Sequence, residues 1–149
     1  LIHRKEIFTM SKIAVVYWSG TGNTEAMAEA VAEGAKASGA DVTVFTSANF
    51  TADQVAEYDA IGFGCPSMGA EELEETEFEP MFSQCEGVLD DKKIVLFGSY
   101  DWGDGEWMRL WEDRVRGNGS NLVADGYICN LTPDDDALAA CKELGAALV

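Results

Sequence analysis

Histidine, proline and basic residues are scarce in this sequence, and the scarcity excludes several classes of function. One histidine, three prolines and 10 Lys or Arg occur among 149 residues. The histidine is His3, so a Ser-His-Asp or Cys-His site is not expected. The cysteines form no Cys-x-x-Cys pair and have no histidine at zinc-ligand spacing, so we expect no metal site. Four cysteines without a pairing pattern are expected to be reduced thiols, which predicts a cytoplasmic protein. No hydrophobic run approaches the roughly 20 residues of a membrane-spanning helix.

Acidic residues dominate the charge, with 27 Asp or Glu and a formal net charge of −17. Repulsion from phosphate groups argues against binding to nucleic acid or to an anionic membrane surface. Such acidity often only keeps a protein soluble, but here it is clustered, which also suits a charged docking surface. The two clusters are Glu71, Glu72, Glu74, Glu75, Glu77 and Glu79, and Asp101, Asp104 and Glu106.

Length and composition predict one globular domain. A chain of 149 residues that is 47% hydrophobic can bury a core of ordinary size. Residues 1–9 carry charges but no apolar segment of the signal-peptide kind, and Met10 stands just before the first apolar run. We expect residues 1–9 to be a disordered N-terminal extension and residues 10–149 to be the folded domain.

Short β-branched runs alternate with amphipathic segments along this domain. The runs predict five strands, at residues 13–17, 42–45, 60–64, 94–97 and 127–129. Helices are predicted at residues 25–38, 52–57, 77–85, 106–115 and 134–148, the last with Thr132 as its N-cap. This alternation predicts an α/β fold, a doubly wound five-stranded parallel sheet with helices on both faces.

A glycine- and hydroxyl-rich segment, here called the phosphate loop (residues 18–24), directly follows the first strand. After Trp18 it contains Ser19, Gly20, Thr21, Gly22, Asn23 and Thr24. Amides at a helix N-terminus attract anions, glycines let the backbone approach, and hydroxyls add donors. Because the loop has no lysine, it is not a Walker A loop, and Glu25 replaces the third glycine of the dinucleotide fingerprint. We therefore predict a bound monophosphate.

Two more loops should meet the phosphate loop, because ligands of doubly wound sheets bind at the carboxyl ends of the strands. The second loop (residues 65–72) contains Pro66, Ser67, Met68, Gly69, Ala70 and Glu71; the third loop (residues 98–105) contains Ser99, Tyr100, Asp101, Trp102 and Gly103. Trp102 lies outside any helical apolar stripe, so Trp102 and Met68 are candidates to sandwich a flat ring. A phosphate at one end and a planar ring at the other describe FMN.

Taken together, these segments resemble the flavodoxin family, specifically its short-chain members from anaerobic bacteria. The matching segments are W-S-G-T-G-N-T, G-C-P-S-M-G, E-F-E-P and G-S-Y-x-W-G-D-G, and the likeness runs from Met10 almost to the C-terminus. The resemblance implies a flavodoxin-like sheet of strand order 2-1-3-4-5, with FMN where the first and third strands diverge.

The resemblance also implies roles for the site residues. The phosphate loop would hold the FMN phosphate, while Met68 and Trp102 would cover the inner and outer faces of the ring. Glu71 would accept from flavin N3–H, and the third loop would offer backbone donors. In relatives the peptide after the match to Gly69 turns over on one-electron reduction. Ala70 replaces residues that tolerate positive φ better, so this turn is expected to be less stable here.

The implied function is a low-potential one-electron carrier with non-covalently bound FMN, not an enzyme. Its partners would be redox enzymes with basic docking patches, namely low-potential donors and acceptor reductases in ferredoxin-like roles, and the carrier would be a monomer. The alternative is an FMN-dependent NAD(P)H:quinone or flavin reductase on the same fold. Such reductases usually carry longer loops or dimerisation insertions, whereas this chain is near minimal.

Overall fold

The computed structural model describes residues 10–149, and the extension predicted at residues 1–9 lies outside them. The strands are β1 Lys12–Tyr17, β2 Asp41–Thr46, β3 Ala60–Gly64, β4 Lys93–Tyr100, β5 Asn121–Leu122 and β6 Tyr127–Asn130. The helices are α1 Asn23–Ala37, α2 Ala52–Val55, α3 Phe78–Cys85, α4 Glu106–Gly117 and α5 Asp135–Ala147, with short 3₁₀ turns at Ser47–Asn49 and Glu86–Val88.

The strands form one parallel sheet in the order β2-β1-β3-β4, with β5 and β6 both paired to the outer edge of β4. The predicted order 2-1-3-4-5 is confirmed, but the fifth position is shared by two short strands. Between them the chain leaves the ladder, and the Gly126 amide donates to Glu112 Oε2 at 2.6 Å. A two-residue strand such as β5 is too short to show a hydrophobic period.

Side chains of alternating strand residues enter two separate cores. On one face Ile13 and Val15 pack with α1 and α5. On the other, Val16 and Phe63 pack with α2, α3 and α4. The α4 tryptophans belong to this second core, where Trp107 and Trp111 are each 2% exposed. Strands buried on both faces explain the nearly continuous apolar runs of β1, β3 and β4.

The helix ends agree with the predictions to within a few residues, with one correction at α5. Thr132 is not its N-cap. Asp134 is, and its carboxylate accepts from the Ala137 amide at 2.8 Å. A carboxylate there satisfies an unpaired amide and also faces the positive end of the helix dipole, an advantage that threonine lacks.

Helices α1 and α5 touch backbone to backbone at two glycines. A Cβ built on Gly34 would lie 1.9 Å from the Lys142 carbonyl oxygen. A Cβ on Gly145 would lie equally close, at 1.9 Å, to the Val31 carbonyl oxygen. Only glycine permits this approach, and it fixes α1 against α5.

Among residues 10–149, no helix combines the length and apolar character needed to span a membrane. The cysteines Cys65, Cys85, Cys129 and Cys141 are all buried as free thiols.

Candidate cofactor site

The phosphate, second and third loops meet at one edge of the sheet, since β1, β3 and β4 are parallel and end there. Backbone hydrogen bonds hold the loops side by side: the Trp18 amide donates to the carbonyl of Gly64 at the end of β3 at 3.0 Å, and the Ser67 amide donates to the Ser99 carbonyl at 3.0 Å. The ladder thus continues past the strands and sets the spacing between the loops.

In the phosphate loop, Ser19 caps the start of α1. Its Oγ accepts from the amides of Gly22 at 3.1 Å and Glu25 at 3.2 Å. Gly22 has φ +96°, a left-handed conformation that favours glycine and lets the chain turn into the helix. The serine hydroxyl therefore takes up two of the four N–H groups that an α-helix leaves unpaired.

The remaining two amides at this helix end are open to an anion. The Asn23 amide reaches Thr21 Oγ1 only at 3.5 Å, the long limit of a hydrogen bond, and the Thr24 amide has no acceptor within the described part of the chain. Two amides on the N-terminus of a 15-residue helix match the acceptor oxygens of a phosphate. The donor set of this loop fits an FMN phosphate.

Thr24 also ties the phosphate loop to the third loop. Its side chain is 1% exposed, and its Oγ1 accepts from the Ser99 amide at 3.3 Å and shares a 3.0 Å hydrogen bond with Ser99 Oγ. Both residues are candidates for FMN binding, and the structure engages both hydroxyls in this buried link. A phosphate would compete for, or share, the Thr24 hydroxyl.

The second loop is a tight hairpin. The Met68 amide donates to the Glu72 carbonyl and the Glu72 amide to the Met68 carbonyl, each at 2.8 Å. Positive φ falls on Gly69 (53°) and Glu71 (56°), whereas Ala70 is not among the positive-φ residues. In this conformation the unfavourable backbone angle is therefore carried by Glu71, not by the alanine.

The third loop exposes Trp102, which is 61% accessible, next to the cleft described below. Asn130 supports the loop from β6, donating from Nδ2 to the Tyr100 carbonyl at 3.1 Å. Glu71 approaches the same loop, and its Oε1 accepts from the Glu106 amide at the start of α4 at 3.1 Å. Gly103 has φ +89°, which favours glycine, and a Cβ there would lie 2.5 Å from the Glu71 carboxyl carbon and would push that side chain aside.

A cleft of about 220 Å³ connects the three loops. It is lined by Trp18, Gly20, Thr21, Pro66, Ser67, Met68, Ser99, Tyr100 and Asp101. The other predicted site residues do not line it but lie in the same loops; they are Ser19, Gly22, Asn23, Thr24, Gly69, Ala70, Glu71, Trp102 and Gly103. Sequence reasoning did not select Trp18 as a site residue, although an aromatic residue directly before a phosphate loop was an available signal.

Glu74 is a second residue that sequence reasoning did not single out, because it sits in a run of glutamates. It is 5% exposed and lies just beyond the second loop. Its amide donates to Cys65 Sγ at 3.3 Å. Burial raises the pKa of the Cys65 thiol far above its usual range, so Cys65 is a packing residue and not a nucleophile. Residues 10–149 contain no cluster of three or more His, Cys, Asp or Glu suited to a metal ion.

Known proteins share both this sequence and this fold. The family model described as Flavodoxin matches residues 15–145. The flavodoxin of Megasphaera elsdenii is 47% identical over 135 residues, covering 91% of this chain and 96% of the relative, and that of Clostridium beijerinckii is 45% identical over 131 residues, covering 88% and 94%. The solution structure of two-electron reduced M. elsdenii flavodoxin superposes with a TM-score of 0.83 at 46% identity, covering 91% of this chain and 97% of the other.

The similarity to a reductase is smaller. An NAD(P)H dehydrogenase (quinone) of Cupriavidus metallidurans is 35% identical, but the match covers 67% of this chain and 50% of that protein. The reductase alternative is therefore not favoured. Sequence, sheet order and loop arrangement agree, and the chain belongs to the flavodoxin family of FMN-binding electron carriers.

Proposed function

We propose that this flavodoxin holds its FMN in the three-loop site and works as a low-potential carrier between redox enzymes. The observation that carries the proposal is the cleft that joins Gly20 and Thr21 of the phosphate loop to Met68 and Asp101 of the other two. FMN needs a phosphate site and a ring site a ribityl chain apart, and a cleft that runs between the phosphate loop and the other two loops supports such a placement. When bound, FMN supplies the electron-transfer chemistry.

The chain's own residues would orient the cofactor. The amides of Asn23 and Thr24 would donate to the phosphate, with Ser19 holding the helix end in shape. Met68 and Trp102, which are 39% and 61% exposed, would cover the two ring faces and lose most of that exposure. Glu71 Oε1 is already bonded to α4, which leaves Oε2 to accept from the flavin N3–H.

Acidic residues around the ring would make reduction harder. A carboxylate about 10 Å from the ring, at an effective dielectric of 40–80, opposes an added negative charge by roughly 0.4–0.8 kcal/mol. That corresponds to about 20–35 mV for a one-electron couple. Several such carboxylates, among them Glu71, Glu72 and Asp101, would together lower the potential of the couple.

The same charges would select partners. With a net charge of −17, the protein would be steered toward basic patches on low-potential donors and acceptor reductases, with rates that fall as salt rises. Exposed Trp102 and Met68 provide an apolar centre for such a contact. The protein would act as a monomer in the cytoplasm, where its four buried thiols stay reduced.

Titration of the FMN-free protein with FMN tests the proposal. We expect one FMN per chain, quenched flavin fluorescence, a yellow complex and faster electron exchange with a basic redox partner at low salt. A protein that takes up no FMN after unfolding and renaturation would refute the proposed site. Steady NADPH oxidation by the purified protein alone would instead point to a reductase.

A further inference from the structure

Glu74 differs from its neighbours in the acidic segment that follows β3. Glu72, Glu75 and Glu77 are exposed to solvent, whereas Glu74 is 5% exposed. A buried carboxylate is costly unless its oxygens are hydrogen-bonded, so this residue requires a structural reason.

The Glu74 carboxylate holds the start of α3. Oε1 accepts from the amides of Glu77 at 2.8 Å and Phe78 at 2.9 Å, and Oε2 accepts from the Thr76 amide at 2.9 Å and from the Thr76 hydroxyl. Burial by itself raises the pKa of Glu74, but the hydrogen bonds from Thr76, Phe78 and Glu77 outweigh it and hold the pKa below its usual value. The group is thus a carboxylate at neutral pH.

The backbone of Glu74 reaches in the opposite direction, to the end of β3. Its amide donates to Cys65 Sγ at 3.3 Å. Cys65 is itself fixed, because its amide donates to the Phe97 carbonyl at 3.1 Å and its carbonyl accepts from Trp107 Nε1 at 3.2 Å. Glu74 therefore closes residues 65–74 into a loop. One end is fixed to the sheet through Cys65, and the other is fixed to the start of α3 through the Glu74 carboxylate.

We propose that Glu74 is a positioning residue for the flavin ring, because its buried carboxylate anchors the far end of the segment that carries the Met68–Glu72 hairpin. The inference rests on the proposed placement of the ring against Met68. Glu74 lines one pocket together with Met68 and Gly69, and only Leu73 separates it along the chain from Glu72, which closes the hairpin, so a shift of its backbone would be passed to the hairpin. Glu74 would affect FMN by fixing the position of the hairpin, in addition to the electrostatic effect of its one negative charge.

The test compares Glu74→Gln with Glu75→Gln. Each removes one charge from adjacent residues, but only the first replaces a buried acceptor oxygen with an amide donor that faces backbone N–H groups. We expect Glu74→Gln to bind FMN about tenfold more weakly than Glu75→Gln, because the loss of hydrogen bonds to the buried carboxylate would release the hairpin from the position that the ring requires. The one-electron reduction potentials of bound FMN should shift by different amounts in the two variants.

Hydrogen exchange in the FMN-free protein is an independent readout. The amides of Met68 and Glu72, which close the hairpin, should exchange about tenfold faster in Glu74→Gln and at the wild-type rate in Glu75→Gln. Equal affinities, potentials and exchange rates in the two variants would overturn the inference, even if Glu74→Gln were the less stable protein.

Two further measurements separate the role of Glu74 from a folding defect and from a failure of the proposed FMN site. If Glu74→Gln does not fold, Glu74→Asp retains the charge and should still accelerate exchange at Met68 and Glu72; wild-type exchange there would refute the inference. Failure of the wild-type protein to bind FMN would refute the proposed site, whereas the exchange comparison needs no cofactor.

Discussion

The phosphate loop and the two ring-facing loops differ in how far apart along the chain their contacts lie. Ser19 binds amides only three and six residues away, inside one strand-loop-helix unit. The ring-facing loops depend on contacts across the chain, such as Glu71 with the start of α4, 35 residues on. The phosphate end is neutral and uses backbone donors, while the ring end uses carboxylates.

The proposed site would therefore hold one cofactor by two kinds of construction. Local contacts shape the amides at the phosphate end, and one buried long-range link, between Thr24 and Ser99, joins this loop to the third loop. Long-range contacts make the ring end dependent on how α3 and α4 are placed. Loss of the contacts to the phosphate-end amides should therefore alter mainly affinity, whereas changes at the ring end should alter affinity, potential and local stability together.

The largest effect should come from removing the phosphate from the ligand. Riboflavin cannot use the Asn23 and Thr24 amides, and losing two charge-assisted hydrogen bonds should weaken binding about a thousandfold relative to FMN. Fluorescence titration of the FMN-free protein with both ligands measures this. Similar affinities for riboflavin and FMN would mean that the phosphate end contributes little to binding, and would contradict the proposed difference between the two ends of the site.

Gly103→Ala should disturb the ring end next most strongly. Gly103 has φ +89°, and its new Cβ would displace the Glu71 carboxylate, so we expect a loss of about 1–3 kcal/mol in the free energy of unfolding. FMN affinity should fall with it. Gly87→Ala is the matched control, because a Cβ there has nothing within 4 Å. Urea unfolding that cannot distinguish the two variants would contradict the prediction.

Trp102→Ala should weaken FMN binding about tenfold, since an aromatic stacking contact is worth about 0.5–1.5 kcal/mol beyond the area that it buries. The FMN-free protein should keep its stability, because Trp102 is 61% exposed. Leu110→Ala, at a residue of similar exposure (58%) on α4, should leave affinity unchanged. Equal losses in both variants would remove Trp102 from the ring site.

The smallest effect concerns pH. Hydrogen bonds from Arg114 hold the pKa of Glu79 below its ordinary value, against the opposing effect of burial. A lowered folded-state pKa stabilises the protein above the ordinary value of 4.5 and loses that contribution as the pH falls through the lowered one. Glu79→Gln should reduce this acid-induced loss, by less than about 1 kcal/mol because Glu79 is partly exposed.

Urea unfolding of the FMN-free protein from pH 7 down to acid measures the effect, with hydrogen exchange to locate it. Exchange should rise first at α3, which Glu79 joins to α4 through Arg114, and later at α1. If α1 lost protection first, the ring end would not be the part of the site that depends on carboxylates.

The sequence was sufficient to predict the parts of the molecule that depend on neighbouring residues. The strands, the helices and the phosphate loop follow from hydrophobic period and from glycine and hydroxyl spacing. The strand order and the roles of Met68 and Trp102 came from the family resemblance. The order is confirmed, and the individual roles stay predictions.

What the sequence did not reveal depends on tertiary contacts. The buried state of Glu74 requires Cys65 and the start of α3 to converge on it, which no spacing pattern encodes. The link between Thr24 and Ser99 joins residues 75 positions apart. The fifth strand is split where the chain leaves the ladder and the Gly126 amide donates to Glu112, 14 residues away. Asp134, and not Thr132, is the cap of α5, because its carboxylate accepts from the Ala137 amide.

The glycine contact between α1 and α5 limits which substitutions are compatible with the proposed phosphate site. Gly34 lies eleven residues beyond the first residue of α1, about 16 Å along the helix axis from the amides proposed to receive the phosphate. A side chain at Gly34 or Gly145 would tilt that axis and swing the anion-binding end away from its neighbours. The C-terminal helix carries none of the residues proposed to bind the cofactor, yet the proposed phosphate site would limit which residues that helix can accept at position 145.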